Sequence, residues 1–298
     1  KFNALSVSVI LWLLIVEYVL VALLIGPQML RANISSEAPE DWRSVWSEFV
    51  VYCRPLVIYG IVGFVYQFAD RWLLQRFGGS TQQGFFSVGQ QFASVSLLAT
   101  TSILNVMWKE VADGQADAAR TKTLYASIRR SLYFLAAWSS CLFIPYTREL
   151  LHMTVGDQYQ GAALATSLMF LYPIHQSLGQ IQGTYLMATS NTRTHAAIGM
   201  FSMLLSIPAT YFVTAPRNAL IPGLALGATG VVIKMVAVQL IAVSVQTIAI
   251  ARMGAGRRDF GYQFGVLASL LGFSFLCRTV AASVTSSALA TFIGGAAL

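Results

Sequence analysis

Residues 54–93 read RPLVIYGIVGFVYQFADRWLLQRFGGSTQQGFFSVGQQFA. Two apolar runs are separated by a short connection containing Gly78 and Gly79, and the pair Asp70-Arg71 lies near the end of the first run. In that run Tyr59, Gly63, Tyr66 and Asp70 recur at intervals that share one face of a helix. In the second run Ser87, Gln91, Ser94, Thr101 and Asn105 also share a face, with Leu98 between them. Polar stripes on apolar helices face protein or water rather than lipid.

The rest of the chain has the same character. Of its 298 residues 56% are apolar and only 10% charged, against about 25% charged in soluble domains. Mean hydropathy is +0.64. These values point to an all-α polytopic membrane protein. The net charge of +7 would suggest nucleic acid in a soluble chain. Here the basic residues mostly occupy short loops between apolar runs, so topology accounts for them. Cys53, Cys141 and Cys277 are scattered, without metal-site spacing, and read as small apolar residues. Lys1 opens directly into an apolar run without a signal-peptide layout, which suggests a fragment of a longer protein.

A helix needs about 20 residues to cross the hydrocarbon core. Nine candidate spans follow: 4–26, 49–75, 83–107, 125–147, 159–189, 195–215, 219–251, 261–277 and 280–298. Counting Lys and Arg in the connections gives eleven on one side and six on the other. The richer side, which includes Arg129, Arg130 and Arg252, is expected to be cytoplasmic. Asp70, Arg71 and Arg76 then lie toward the outer end of the second span. Residues 40–53 place Trp42, Val45, Trp46 and Phe49 on one stripe opposite acids, the pattern of a helix in the headgroup plane. Residues 108–131 read as a cytoplasmic hairpin with a basic second arm: a solvated face, or a contact with lipid phosphate.

The fifth span carries PIHQSLGQIQGTY, residues 173–185, in which Gln176, Gln180 and Gly183 line up beside His175. Three spans with polar stripes favour a shared aqueous cavity over helix packing alone. Glu17 and Lys234 fall near the middle of their spans, where a charge costs roughly 2.5–3.5 kcal/mol on the lenient insertion scales, so both are expected to face protein or a cavity. Asp70 reads either as a transport residue or as half of a structural ion pair, and His175 either as a buried packing residue or as a proton carrier. Pro173 and Pro208 fall inside spans and are expected to kink them, whereas Pro55 sits near a helix start, where proline is tolerated.

Residues 54–93 resemble the first helical hairpin of a lobe in Wzx-type polysaccharide (O-antigen) flippases of the MATE-like superfamily. The shared pattern is Pro55, Asp70-Arg71, the Gly78-Gly79 turn and Gly84, with Phe86 where the family usually has tyrosine. RELLHMTVGDQYQGAA (148–163) resembles the entry to the fourth helix of a lobe through Gly156 and Tyr159, and PGLALGATGVVIK (222–234) the entry to the sixth. A proline that many members carry near the cytoplasmic end of the second lobe helix is missing from NVMWKE (105–110).

The resemblance implies a division into 1–48, the last helix of a preceding lobe with its linker; 49–251, a six-helix lobe; and 252–298, two further helices. It implies a flippase that moves polyprenyl-pyrophosphate-linked oligosaccharide from the cytoplasmic to the outer leaflet of the bacterial inner membrane by alternating access, without covalent chemistry. Substrate contacts are expected from Arg54, Gln67, Asp70, Arg71, Gln91, Gln176, Gln180 and Lys234, and coupling from Glu17, Asp70 or His175. Lys234 would either meet the pyrophosphate or pair with an acid of the other lobe. A single lobe is expected not to form the transport cavity. Membrane lipids and other polysaccharide-assembly proteins are the expected partners; no catalytic residue, cofactor, metal or nucleic acid is expected. A cation-coupled multidrug exporter on the same scaffold, a membrane-embedded enzyme of polysaccharide assembly and a scaffold without transport activity are the rivals.

Overall fold

The computed structural model describes residues 7–31, 42–113, 118–254 and 259–284. Its regular elements there are all helical: α1 (Val7–Arg31), α2 (Trp42–Asp113), α3 (Ala118–Phe143), α4 (Thr147–Thr154), α5 (Ala163–Met169), α6 (Leu171–Ala188), α7 (Thr192–Thr214), α8 (Gly227–Arg252) and α9 (Phe260–Val284). Four stretches are long and apolar enough to cross a membrane: Trp42–Leu98, Thr192–Thr214, Gly227–Arg252 and Phe260–Ser283. This is the build of a multi-pass membrane protein.

The chain divides into two compact units, Lys1–Val50 and Val51–Leu298. In the first, α1 is a single helix with the Glu17 side chain exposed. The Trp42–Trp46–Phe49 stripe forms as expected, with ring centroids 6.1 and 5.7 Å apart in succession. It is not a separate helix, however: it is the first part of α2, which starts at Trp42. Pro55 consequently sits well inside α2 rather than near its start. It has no N–H to give the Val51 carbonyl, and Val51 is where the second unit begins.

Gly79 divides α2 into two arms. Its φ of 74° and ψ of −176° lie in a region essentially reserved for glycine. In a straight helix Arg71 and Gln90 would stand about 28 Å apart. Instead the Arg71 guanidinium donates to Gln90 Oε1 over 3.2 Å, so the second arm folds back along the first. The two spans read from residues 54–93 are therefore a helical hairpin, with its turn at the glycine pair.

Other boundaries differ from the expected ones for local reasons. The fifth predicted span is broken into a 3₁₀ turn (Asp157–Ala162), α5 and α6. Gly156, at φ 89°, starts that turn. The break at Phe170 lies beside Met169, whose carbonyl Pro173 cannot serve. Pro208, by contrast, sits within an unbroken α7. The seventh predicted span starts late, at Gly227, where the Gln82 side chain of α2 accepts from the Ala228 N–H at 2.8 Å and caps α8. The expected break between the last two spans is absent, because α9 runs through to Val284. The turn of the 108–131 hairpin, Arg257, Arg258 and residues 285–298 lie outside the described residues.

Two larger apolar cores, with a smaller cluster around Leu151, Ala162 and Ala163, hold the second unit together. One joins α3, α6 and α8 through Tyr125, Leu132, Ile174, Leu178, Ile181 and Val243, with Leu267 and Leu270 of α9 packed on it. The other joins α2, α5 and α8 through Leu74, Phe86, Ala165, Met169, Val231 and Val232. Large apolar side chains such as Phe64, Phe68, Phe201 and Leu276 remain exposed, as expected where the solvent is lipid.

Candidate functional site

Between α2, α6, α7 and α8 of the second unit lies a cavity of about 680 Å³. Its lining residues all come from the helices of this unit. The α2 stripe supplies Tyr59, Tyr66 and Asp70, as its spacing predicts, with Gln67 and Arg71 beside them. From α6 come Gln176, Gln180 and Gly183, again the predicted face.

Beside the cavity lies a buried ion pair. Lys234 Nζ of α8 donates to Asp70 Oδ2 of α2 at 2.6 Å and to Ser206 Oγ of α7 at 2.9 Å. Thr210 Oγ1, one turn beyond Ser206, donates to Asp70 Oδ1. The ammonium also lies 5.0 Å from the centroid of the Tyr66 ring. Both carboxylate oxygens are thus occupied, and the ammonium has two acceptors and an aromatic face. Asp70 is 6% and Lys234 3% exposed by side chain. At that burial an isolated charge would cost several kcal/mol, which mutual attraction and the added hydrogen bonds offset. Lys234 is therefore paired with Asp70 within this unit.

The other predicted residues are placed as follows. Gln67, Arg71, Gln176 and Gln180 line the cavity with Asp70. Arg54 and Gln91 are exposed and lie outside its walls, and Lys234 reaches the site through Asp70. His175 is buried on the other side of α6, its ring 6.4 Å from that of Tyr133 in α3. Glu17 belongs to the first unit.

Sequence reading missed several walls. Gln90, not Gln91, faces in, together with Phe86 and Leu104, whereas Thr101 of the predicted stripe does line the cavity. Two adjacent glutamines gave no way to choose until Arg71 fixed one of them. Ser202, Ser206, Thr210 and Thr214 recur every fourth residue through apolar α7, a ladder visible in the sequence. Gln239 and Gln246, two helical turns apart on α8, are a second such signal. His195 enters the cavity with its ring 5.3 Å from Tyr59.

Three polar atoms on these walls, Gln180 Oε1, Gln246 Oε1 and His195 Nδ1, are buried without a hydrogen-bond partner. Buried polar groups are normally satisfied, so the wall is suited to a ligand rich in hydroxyl or amide groups, or to water. Arg71 is the one cation among the lining residues, and the charge of Asp70 is already balanced by Lys234. The site offers hydrogen bonds, aromatic faces and one exposed positive charge.

The model of a family described as polysaccharide biosynthesis protein matches residues 7–164, which include both arms of α2. No curated protein and no solved structure matches the chain. Because that match spans more than half of the sequence, the chain belongs to the polysaccharide biosynthesis protein family.

Proposed function

We propose that the chain works as one lobe of a Wzx-type flippase that carries polyprenyl-pyrophosphate-linked oligosaccharide from the cytoplasmic to the outer leaflet of a bacterial inner membrane. The observation that carries this reading is the cavity itself. Its walls of glutamine and tyrosine side chains, with three unpartnered buried polar atoms, have the chemistry that recognises sugar hydroxyls. Its volume suits a few sugar rings and leaves the polyprenyl tail in lipid. In this reading Arg71, exposed on the wall, meets the pyrophosphate. Transport is a rocking of lobes around this site, with no bond made or broken.

The wall chemistry favours this reading over a cation-coupled exporter of drugs. Such a site needs a carboxylate free for a cationic substrate, and Asp70 is engaged by Lys234, Thr210 and, through them, Ser206. An enzyme of polysaccharide assembly needs clustered acids or a bound metal, and the cavity wall carries a single carboxylate.

The test is a strain lacking the full-length protein. Lipid-linked repeat units are expected to be made normally, to accumulate on the cytoplasmic face and to be exported again when the gene is restored. Loss of repeat-unit synthesis instead would favour the enzyme reading.

A further inference from the structure

A second site lies away from the cavity, at one end of α3 and α9. Two ion-pair clamps tie α9 to its neighbours, one to α3 through Asp259, just before α9, and one to α4. At one end Asp259 accepts from Arg129 at 2.7 Å and from Arg130 at 2.8 Å. At the other, Arg278 donates to Glu149 of α4 at 2.7 Å, its guanidinium 5.8 Å from the centroid of Tyr146. Along α9 the clamps are about 28 Å apart, close to the hydrocarbon thickness of roughly 30 Å. That spacing would set the two clamps at opposite interfaces of a membrane crossed by α9.

A groove of about 360 Å³ opens beside the Arg278 clamp. Its walls are apolar, with Ile144, Pro145 and Ala163 inside and Leu164 and Phe275 exposed at 62% and 50%. Two cations, Arg148 and Arg278, share this lining. Glu149 answers Arg278, whereas the Arg148 side chain is exposed and its backbone carbonyl accepts from Gln160. The groove thus combines a net positive headgroup level with an apolar slot toward the hydrocarbon.

We propose that this groove binds a phospholipid with an anionic headgroup, its phosphate on Arg148 and on donors of Arg278 not used by Glu149, and an acyl chain along Leu164 and Phe275. Charge complementarity and the interfacial depth of the two arginines select this occupant over a neutral lipid. Occupied, the groove brings lipid against the contact of α9 with the turn Ile144–Tyr146.

The test uses the full-length protein in nanodiscs containing phosphatidylglycerol and phosphatidylcholine, with retained lipids counted by native mass spectrometry. Wild type is expected to retain phosphatidylglycerol about fivefold over phosphatidylcholine. Arg148→Gln, which leaves the Arg278–Glu149 clamp in place, is expected to abolish that preference. Leu164→Trp, which fills the slot, is expected to reduce retention of both lipids at this site. Inorganic phosphate is expected not to compete. An unchanged preference in both variants would overturn the proposal. So would displacement of the lipid by inorganic phosphate, which would make the groove an anion site only.

Discussion

Asp70 and Lys234 are 164 positions apart in the chain and 2.6 Å apart in the fold. Their contact ties the first arm of α2 to α8, and Thr210 and Ser206 add α7 to the same knot. Three helices around the cavity therefore share one buried charge pair, and whatever moves one of them has to move or break it.

Removing one partner leaves the other buried and uncompensated. Lys234→Met is expected to destabilise the protein by about 3–5 kcal/mol, read as a fall in melting temperature and in membrane abundance. Asp70→Leu with Lys234→Met removes both charges and is expected to recover most of that loss. The exchange Asp70→Lys with Lys234→Asp is expected to recover part. A double variant as unstable as the sum of the single ones would mean that the two residues do not act as a pair.

Gly79 is the turn on which the α2 hairpin depends. A Cβ there would meet nothing within 4 Å, so crowding contributes nothing and only the backbone at φ 74° opposes a side chain. Gly79→Ala is expected to cost about 1–3 kcal/mol in a thermal unfolding series. Gly60→Ala, also in open space but within the helix, is the control and is expected to be neutral or stabilising. Equal effects at the two positions would remove the strain argument.

Asp259 lies outside the apolar spans, and the hydrogen bond from Arg130, with the charges of both arginines, holds its carboxyl below the ordinary carboxylate value. A depressed value means that the clamp contributes fully above the unfolded carboxylate range of about 4 and loses its contribution as pH falls through the lower folded value. The melting-temperature difference between wild type and Asp259→Asn is expected to be flat from about pH 8 to 5 and to shrink below about pH 4. A difference that grows on acidification would reverse the assigned sign.

The orientation rests on the eleven-to-six distribution of Lys and Arg. Met253 and Asp157 are both exposed. In a background with Cys53→Ser, Met253→Cys is expected to react with an impermeant thiol reagent only from the cytoplasmic side, and Asp157→Cys only from outside. The opposite pattern would invert the protein and place Arg71 toward the inner leaflet.

The helical class and the α2 hairpin were legible because periodicity and a glycine pair are local signals. The faces bearing Tyr66 and Asp70 and bearing Gln176 and Gln180 were legible for the same reason. The pairing of Asp70 with Lys234 was not, because burial makes both residues conspicuous but says nothing about which distant partner each meets. Gln90 and Gln91 show the same limit, since one step along a helix turns a side chain by about 100° and only tertiary contact selects the inward one. The ladder through Ser206 and Thr210 was visible but resembles ordinary packing of small polar residues. The break at Phe170 was signalled by Pro173, whereas the start of α8 at Gly227 depends on a cap from Gln82 that no periodicity encodes.

The claim that the cavity holds the sugar headgroup is tested most directly by filling it. The full-length protein in sealed proteoliposomes, with a fluorescent lipid-linked oligosaccharide in one leaflet, reports transfer as the fraction that becomes protected from an external glycosidase. Gln180→Trp places a bulky side chain on the cavity wall. The account predicts unchanged incorporation of the variant and a fall in transfer rate of at least about tenfold, the equivalent of about 1.4 kcal/mol. Transfer at the wild-type rate by a folded, fully incorporated Gln180→Trp protein would contradict it.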